Sequence, residues 1–365
     1  MRTSPPIRTS STYRKYRLFL AMLLFSFSAM AQNSQTRIYG IMDMYVGYGK
    51  SGSKSITKLN EGGNAGSRIG FQGVEDLGGG LKARFDLEAG IGADTGSGEA
   101  PDGSLAFLRQ SSIGLTSRWG LVDFGRMYTP MFIGIVQADP YVLNATFSPL
   151  NLRSIVDSQQ GVRAFASRGS NMIRYMTPPE QNFFAILAYS FGEQGSSSQR
   201  LNDLYGGSLG WKDRSFYLAY SFQNVRTAST DQPLATPITS RYQALSAYYR
   251  IRPELMLSAN IAQSGSNHSA TRESTLRSGG ISWQASVQSR LMAVVAHRRV
   301  EASARGQTVW TLGYDYALSK RTELYGRLLG VNNRGGAAVA LGGVPIEAAG
   351  SSSGRFIAAG IRHSF

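Results

Sequence analysis

The stretch 81–89, "LKARFDLEA", alternates without a break. Leu81, Ala83, Phe85, Leu87 and Ala89 fall on one side of an extended strand, and Lys82, Arg84, Asp86 and Glu88 on the other. Two folds account for it. In a soluble sandwich the apolar side packs on a core and the charges meet water; in a membrane barrel the apolar side meets lipid and the charges line a wet lumen. The rest of the chain decides between them.

At the N-terminus Arg2, Arg8, Arg14, Lys15 and Arg17 precede the apolar run "LFLAMLLFSFSAM" and the small-residue site Ala29-Met30-Ala31. This pattern reads as a secretory signal over residues 1–31, cleaved after Ala31. The run is 13 residues long, short of the roughly 20 that a spanning helix needs. Cleavage would leave 33 basic against 23 acidic residues, a net charge of +10. Such an excess suits small anions or acidic surfaces, and export argues against nucleic acid. Without a cysteine in the chain, neither a disulfide framework nor a thiolate metal site can form.

The 42 glycines, the abundant tyrosine and phenylalanine, and the lack of a long apolar stretch after residue 31 exclude helical spanning and favour strands. Alternation recurs in "SFYLAYSF" (215–222), "ELMLSANIA" (254–262) and "VWTLGYDYAL" (309–318). Sixteen strands are expected, at 36–49, 67–75, 80–91, 107–117, 120–127, 168–176, 182–191, 201–211, 214–224, 240–250, 253–263, 274–285, 288–300, 306–318, 321–330 and 355–365. Short connections such as "EDLGG", "RWG", "TPPEQ" and "KD" alternate with long ones rich in Gly and Ser. One tight end and one long end, on an even number of antiparallel strands, is the plan of an outer-membrane barrel. In lipid no water satisfies a free sheet edge, so the last strand must pair with the first. A barrel of sixteen strands is too wide for side chains to fill. The charged side of "LKARFDLEA" is therefore expected to face inward. The fold expected is all-β: a single domain over 32–365, a 16-stranded antiparallel transmembrane barrel.

The segments "RIYGIMDMYVGYG", "GSRIGFQGVEDLGGGLKARFDLEAG" and "FLRQSSIGLTSRWGLVDFGRMYTP", with Phe365 ending the last strand, resemble the general trimeric porins of Gram-negative bacteria, most closely the betaproteobacterial type. The resemblance covers the first third of the chain and its C-terminal strand; from about 190 to 350 only the strand and turn rhythm supports it. It implies passive diffusion of small hydrophilic solutes through a homotrimer, with a third long loop folded into each pore. The partners it implies are outer-membrane lipid, lipopolysaccharide, small solutes and anions, with no cofactor.

The candidate loop lies in region 128–167, between "GRMYTP" and "ASRGSNMIRYMTPP". Connections of that length are functional or disordered as a rule, and this one is too apolar to be left in solvent. A surface lid or adhesive loop is the alternative to folding inward.

Taking Ile69 and Phe71 as lipid-facing puts Arg68 in the lumen. The resemblance places Arg109 and Arg168 on the same wall, matching a basic ladder opposite the inserted loop, and Arg174 shares the parity of Arg168. Guanidinium stays charged at any working pH. Each of the four reads equally as a selectivity residue or an ordinary solvated lumen charge. The loop offers only Asp139 and Asp157 as acids and adds Arg153 and Arg163, so the expected eyelet is positive on balance and favours anions. Asp139 and Asp157 read either as eyelet charges or as partners of wall arginines that hold the loop.

Arg126 shares its face with Val122 and Phe124, the lipid side, where an unpaired charge is costly. A protomer contact is expected there, with Asp94, Glu99 or Asp102 of a neighbour's second long loop as partner. Gly40, Ser112 and Gly114 are expected outward beside it, small enough for a close approach.

Competing chemistry has little support. His268, His297 and His363 lack metal-ligand spacing, and "GYGKS" (47–51) has Met44 where a phosphate loop needs Gly. The expectation is a non-enzymatic channel. A substrate-specific outer-membrane channel is the first alternative. The second is a barrel hydrolase, whose Ser and His need leave no local motif.

Overall fold

The computed structural model describes residues 34–154, 166–192, 202–227, 237–268, 272–347 and 352–365. The expected signal segment and two of the expected loop charges, Asp157 and Arg163, lie outside these residues.

Every turn-connected pair is antiparallel. The first strands are β1 (Gln35–Ser51), β2 (Lys54–Glu61), β3 (Arg68–Gly78), β4 (Leu81–Gly92), the short β5 (Ser97–Gly98), β6 (Gln110–Ser117) and β7 (Gly120–Tyr128). After a long connection come β8 (Arg168–Met176), β9 (Phe183–Ser190), β10 (Leu204–Lys212), β11 (Phe216–Thr227) and β12 (Ile238–Arg252). The series ends with β13 (Leu255–Ser266), β14 (Ser274–Gln284), β15 (Ser289–Val300), β16 (Gly306–Ala317), β17 (Thr322–Arg334) and β18 (Ser353–Ser364). Among the described residues these strands fill sixteen barrel positions. β5 pairs only with the tip of β4, while β2 and β3 share one flank of β1: β2 covers Met44–Ser51 and β3 covers Gln35–Ile41. The sheet closes where β1 pairs with β18, from Ile41↔Ser364 to Lys50↔Arg355. At the seam Gly40 and Phe365 exchange both backbone bonds, at 3.1 Å each.

The alternation resolves as the barrel reading requires. On β4 the polar residues reach inward, Arg84 to Asp123 and Glu88 to Arg109, while Ile113, Leu115 and Phe124 on the following strands stand exposed on the outside. Trp119, Trp211, Tyr249 and Trp283 ring the end with the short turns, where amphipathic rings suit a membrane–water boundary. The turn after β10 is tied by Asp213, which accepts from the Trp211 indole and from the N–H groups of Ser215 and Phe216. Those bonds, the indole's first, hold its carboxyl below the usual carboxylate range.

Where the long connection begins, Thr129 ends β7's run and caps helix α1 (Pro130–Val136), accepting from Phe132 N. Pro130 sits at the first helical position, where its missing N–H costs nothing. The helix packs on β9 to β12, and a 3-10 turn at Pro149–Ser154 packs on β13 to β16. Both ride on inward side chains. Tyr217 Oη donates to Gly134 O at 2.6 Å, Asn260 Nδ2 to Ala138 O at 3.0 Å, and Thr311 Oγ1 to Phe147 O at 2.7 Å. The loop's Met131, Ile135, Phe147, Leu150 and Leu152 are buried against Met292, Val294, Ala296 and Val309 of the wall. That wall is apolar on both faces there, and its inner face is covered by the loop.

Candidate pore-lining site

Opposite the loop, neighbouring strands β3, β4, β6, β7 and β8 bring three of the four sequence-read arginines to one level. Glu88 of β4 is the hub. Arg109 Nε donates to it at 2.8 Å, Arg68 Nη1 lies 3.5 Å away, and the Tyr39 hydroxyl donates at 3.0 Å. Tyr128 of β7 extends the row: its hydroxyl accepts from Arg168 at 2.7 Å and from Arg109 at 3.4 Å. The Arg168 guanidinium lies over the Tyr128 ring, 4.4 Å from its centre, and the ring's neighbour is Phe132 of α1, stacked at 4.5 Å. One tyrosine thus joins the arginine wall to the loop helix.

Arg174 is not on that level. It belongs to a second cluster toward the short turns, where Asp123 accepts from Arg174 at 2.7 Å and from Arg84 at 2.9 Å. Arg84 and Asp123 are missed as site residues by sequence reading. Alternation does put Arg84 inside, but its partner lies 39 positions away and no local signal joins them.

Two expectations about faces need correction. Ser112 and Gly114 point inward, and Ile113 and Leu115 outward. Asp123's carboxylate occupies the space a Cβ on Gly114 would need. Arg109 lies one residue before β6 begins, so strand parity cannot be carried from it to the strand. Gly40 is outward, yet the ring of Phe365 in the same chain covers it. Arg126 is outward as expected, lifted by a bulge at Gly125–Met127, where Gly125 holds a φ of +123°. It bonds within its own chain, to Leu108 O and to Ser170 Oγ at 2.7 Å. Glu99 reaches this chain's own Arg109 at 3.3 Å.

Asp139 is 3% exposed and turned into the loop itself. Its carboxylate accepts from Tyr141 N at 3.1 Å, Leu143 N at 2.8 Å and Ser148 Oγ at 2.6 Å. It shapes the turn in which Val142 and Leu143 both take positive φ, a costly conformation for branched residues.

Three acids of the wall, Glu88, Asp123 and Asp315, each lie behind an arginine. Glu88 is 4% exposed against 18% for Arg68, and Asp123 is 1% exposed against 29% for Arg84. Across the lumen, Asp315 of β16 is 5% exposed against 34% for Arg290, which it binds at 2.5 Å. These carboxylates anchor Arg68, Arg84 and Arg290 from the wall side, and those guanidinium groups present the charge to the interior; Glu99, 40% exposed against 9% for Arg109, is the reverse case.

Comparison with known proteins places this geometry. A family model described as Gram-negative porin matches residues 19–336. The outer membrane porin protein 32 of Delftia acidovorans is 27% identical over 363 residues, covering 96% of this chain and 100% of its own length. An outer membrane porin of Bordetella pertussis is 34% identical over 205 residues, 52% of this chain and 51% of its own. Among solved structures, the anion-selective porin from Comamonas acidovorans superposes with a TM-score of 0.79 at 25% identity, covering 91% of this chain and 100% of that one.

Proposed function

This chain belongs to the Gram-negative porin family, and on that premise we propose that it works as a homotrimer whose pores favour anions and are narrowed by the loop at 128–167. The protein is an outer-membrane porin, a barrel for passive diffusion of small hydrophilic solutes. Selectivity, constriction and assembly are our reading.

The observation that carries it is the shared acid at the arginine wall. Arg68 and Arg109 converge on one buried carboxylate, and Arg168 stands beside them with only a neutral tyrosine as partner. That row holds three cations to two carboxylates, the buried Glu88 and the more exposed Glu99 that lies 3.3 Å from Arg109, while Asp139 across from it is buried in its own loop. In a narrow, low-dielectric passage an uncompensated charge focuses the field and enriches counter-ions. The apolar loop segment lying on the opposite wall supports a constriction between them. A related porin named as anion-selective agrees with this direction.

For assembly, Arg126 at the outer surface among exposed Ile113 and Phe124 supports a protein contact, because a lipid-facing arginine is costly near mid-bilayer. The chemistry proposed for this chain is passage alone, with no bond made or broken. Purified protein added to a planar bilayer tests the reading. Ohmic steps should appear in groups of three equal levels; a barrel that inserts without conducting would contradict it.

A further inference from the structure

The second long connection, between β4 and β6, folds back onto its own barrel. Two successive tight turns build it. Gly96 N bonds Gly92 O at 2.7 Å and Gly103 N bonds Ala100 O at 2.8 Å, with Gly96 and Gly103 both at positive φ. β5 lies on the tip of β4, Ile91 opposite Gly98 and Gly92 opposite Ser97, and Gly98 N bonds Gly103 O at 2.8 Å. Asp102 closes the second turn by accepting from Ser104 N at 3.0 Å and Ser104 Oγ at 2.7 Å. The far end is fastened too: Leu108 O accepts from Arg126, and Phe107 meets Phe71 edge-on.

Glu99 is the first residue after β5, and this framework aims it inward. Its side chain lies across Gly90, the residue opposite Arg68. A Cβ on Gly90 would fall 1.9 Å from the Glu99 carboxyl carbon. Gly90 takes no left-handed φ, so its backbone does not call for a glycine; the Glu99 side chain does. From this seat Glu99 accepts from Arg109 Nη1 at 3.3 Å and completes that guanidinium, whose Nε goes to Glu88 at 2.8 Å and Nη2 to the Tyr128 hydroxyl at 3.4 Å. The two acids differ in what covers them. Glu88 is 4% exposed and Glu99 40%, against 9% for Arg109, so an ion in the lumen meets Glu99 ahead of Arg109. Glu99 also acts electrostatically on Arg168, Arg126 and Glu61. The inserted segment's Asp139 is spent within its own turn; the acid in contact with the row from the solvent side is Glu99.

We propose that Glu99 is a specificity-determining residue of the pore, a tethered acid that caps the arginine row from the lumen side and lowers its anion preference. With Glu99 the row sets three cations against two carboxylates; without it, three against one. At its exposure the acid is partly screened, and its influence falls as salt shortens the screening length from about 10 Å at 0.1 M to about 3 Å at 1 M. The inference rests on conduction through this lumen, and its test is separate from the sign of the wild-type selectivity.

The test measures the chloride-to-potassium permeability ratio of the full-length protein from reversal potentials in planar bilayers, in a dilute and in a concentrated potassium chloride gradient. Glu99→Gln should raise the ratio about twofold or more in dilute salt, the scale of one unit charge several ångströms away in water, and by less in concentrated salt. Gly90→Ala alters no charge, but its methyl group takes the seat of the Glu99 carboxylate, so it should raise the ratio as well. Adding Gly90→Ala to Glu99→Gln should change nothing further. Asp102→Asn removes a charge of the same connection that is engaged with Ser104, and should match wild type. An unchanged ratio in Glu99→Gln, or an equal shift in Asp102→Asn, would overturn the assignment. So would a Gly90→Ala variant that matches wild type. A wild type that favours potassium, with the ratio still raised in Glu99→Gln, would refute the anion-favouring reading and leave Glu99 in this role.

Discussion

Arg109 and Glu88 form a buried ion pair across the β4–β6 wall, Nε to Oε1 at 2.8 Å, with both side chains under 10% exposed. Breaking such a pair from one side commonly costs about 3 kcal/mol, because the remaining charge stays buried. Glu88 also holds Arg68 and Tyr39, so its loss takes the acid from Arg68 and leaves Arg109 with Glu99 alone.

Glu88→Gln should therefore lower barrel stability by about 3 kcal/mol, measured by urea unfolding in lipid vesicles. Arg109→Gln should cost less, since Arg68 still faces the acid. Equal stability of Glu88→Gln and wild type would mean that solvent reaches this pair.

How much of this was legible in the sequence depends on whether one solvent or two act on a strand. Where lipid meets one face and water the other, as along Leu81–Ala89, alternation is forced and the strands are placed within a few residues. Above the membrane both faces meet water and the signal vanishes. β2, "KSITKLNE", carries no such stripe and becomes a strand through its pairing with Met44–Ser51 of β1. Helix α1 was hidden as well: "PMFIGIV" is as apolar as a strand, and the Thr129 cap with Pro130 decides for helix. Of the site, the arginines were readable from parity and resemblance. Their partners Glu88, Asp123 and Tyr128 were not, since one sequence does not say which distant carboxylate meets which guanidinium. The faces of Ser112 and Gly114 failed for the same local reason that Arg109 lies outside its strand.

Asp139 should matter for the loop and leave the barrel alone. Asp139→Ala removes the acceptor of Tyr141 N, Leu143 N and Ser148 Oγ. Single-channel records should become noisier and unfolding of the barrel should shift by no more than about 1 kcal/mol, the scale of an ordinary hydrogen bond. A quiet current in this variant would show that the turn holds without it.

The chain's lack of cysteine makes the loop's position testable by labelling. Val142 is 61% exposed and Asn144 is 8% exposed; Asn144 is further tied to Gly62 O. Val142→Cys should react with a small charged thiol reagent and lose part of its current, whereas Asn144→Cys should react slowly. Reaction of Val142→Cys with reagents too large for the barrel would place this turn outside the lumen.

Arg126→Ala should lower the temperature at which detergent-resistant trimers separate, with conductance per pore nearly unchanged. The side chain braces Leu108 and Ser170 at the outer surface, away from the lumen clusters. Unaltered trimer melting would mean that Arg126 serves only its own barrel.

Anion preference is the central claim, and the reversal potential across a tenfold potassium chloride gradient measures it most directly. The wild-type protein should reverse at the sign set by chloride. Arg68→Gln/Arg168→Gln, which keeps the Arg109–Glu88 pair intact, should move the reversal potential toward zero or beyond it. A wild-type potential of the potassium sign, or a double variant indistinguishable from wild type, would contradict the assignment of selectivity to this wall.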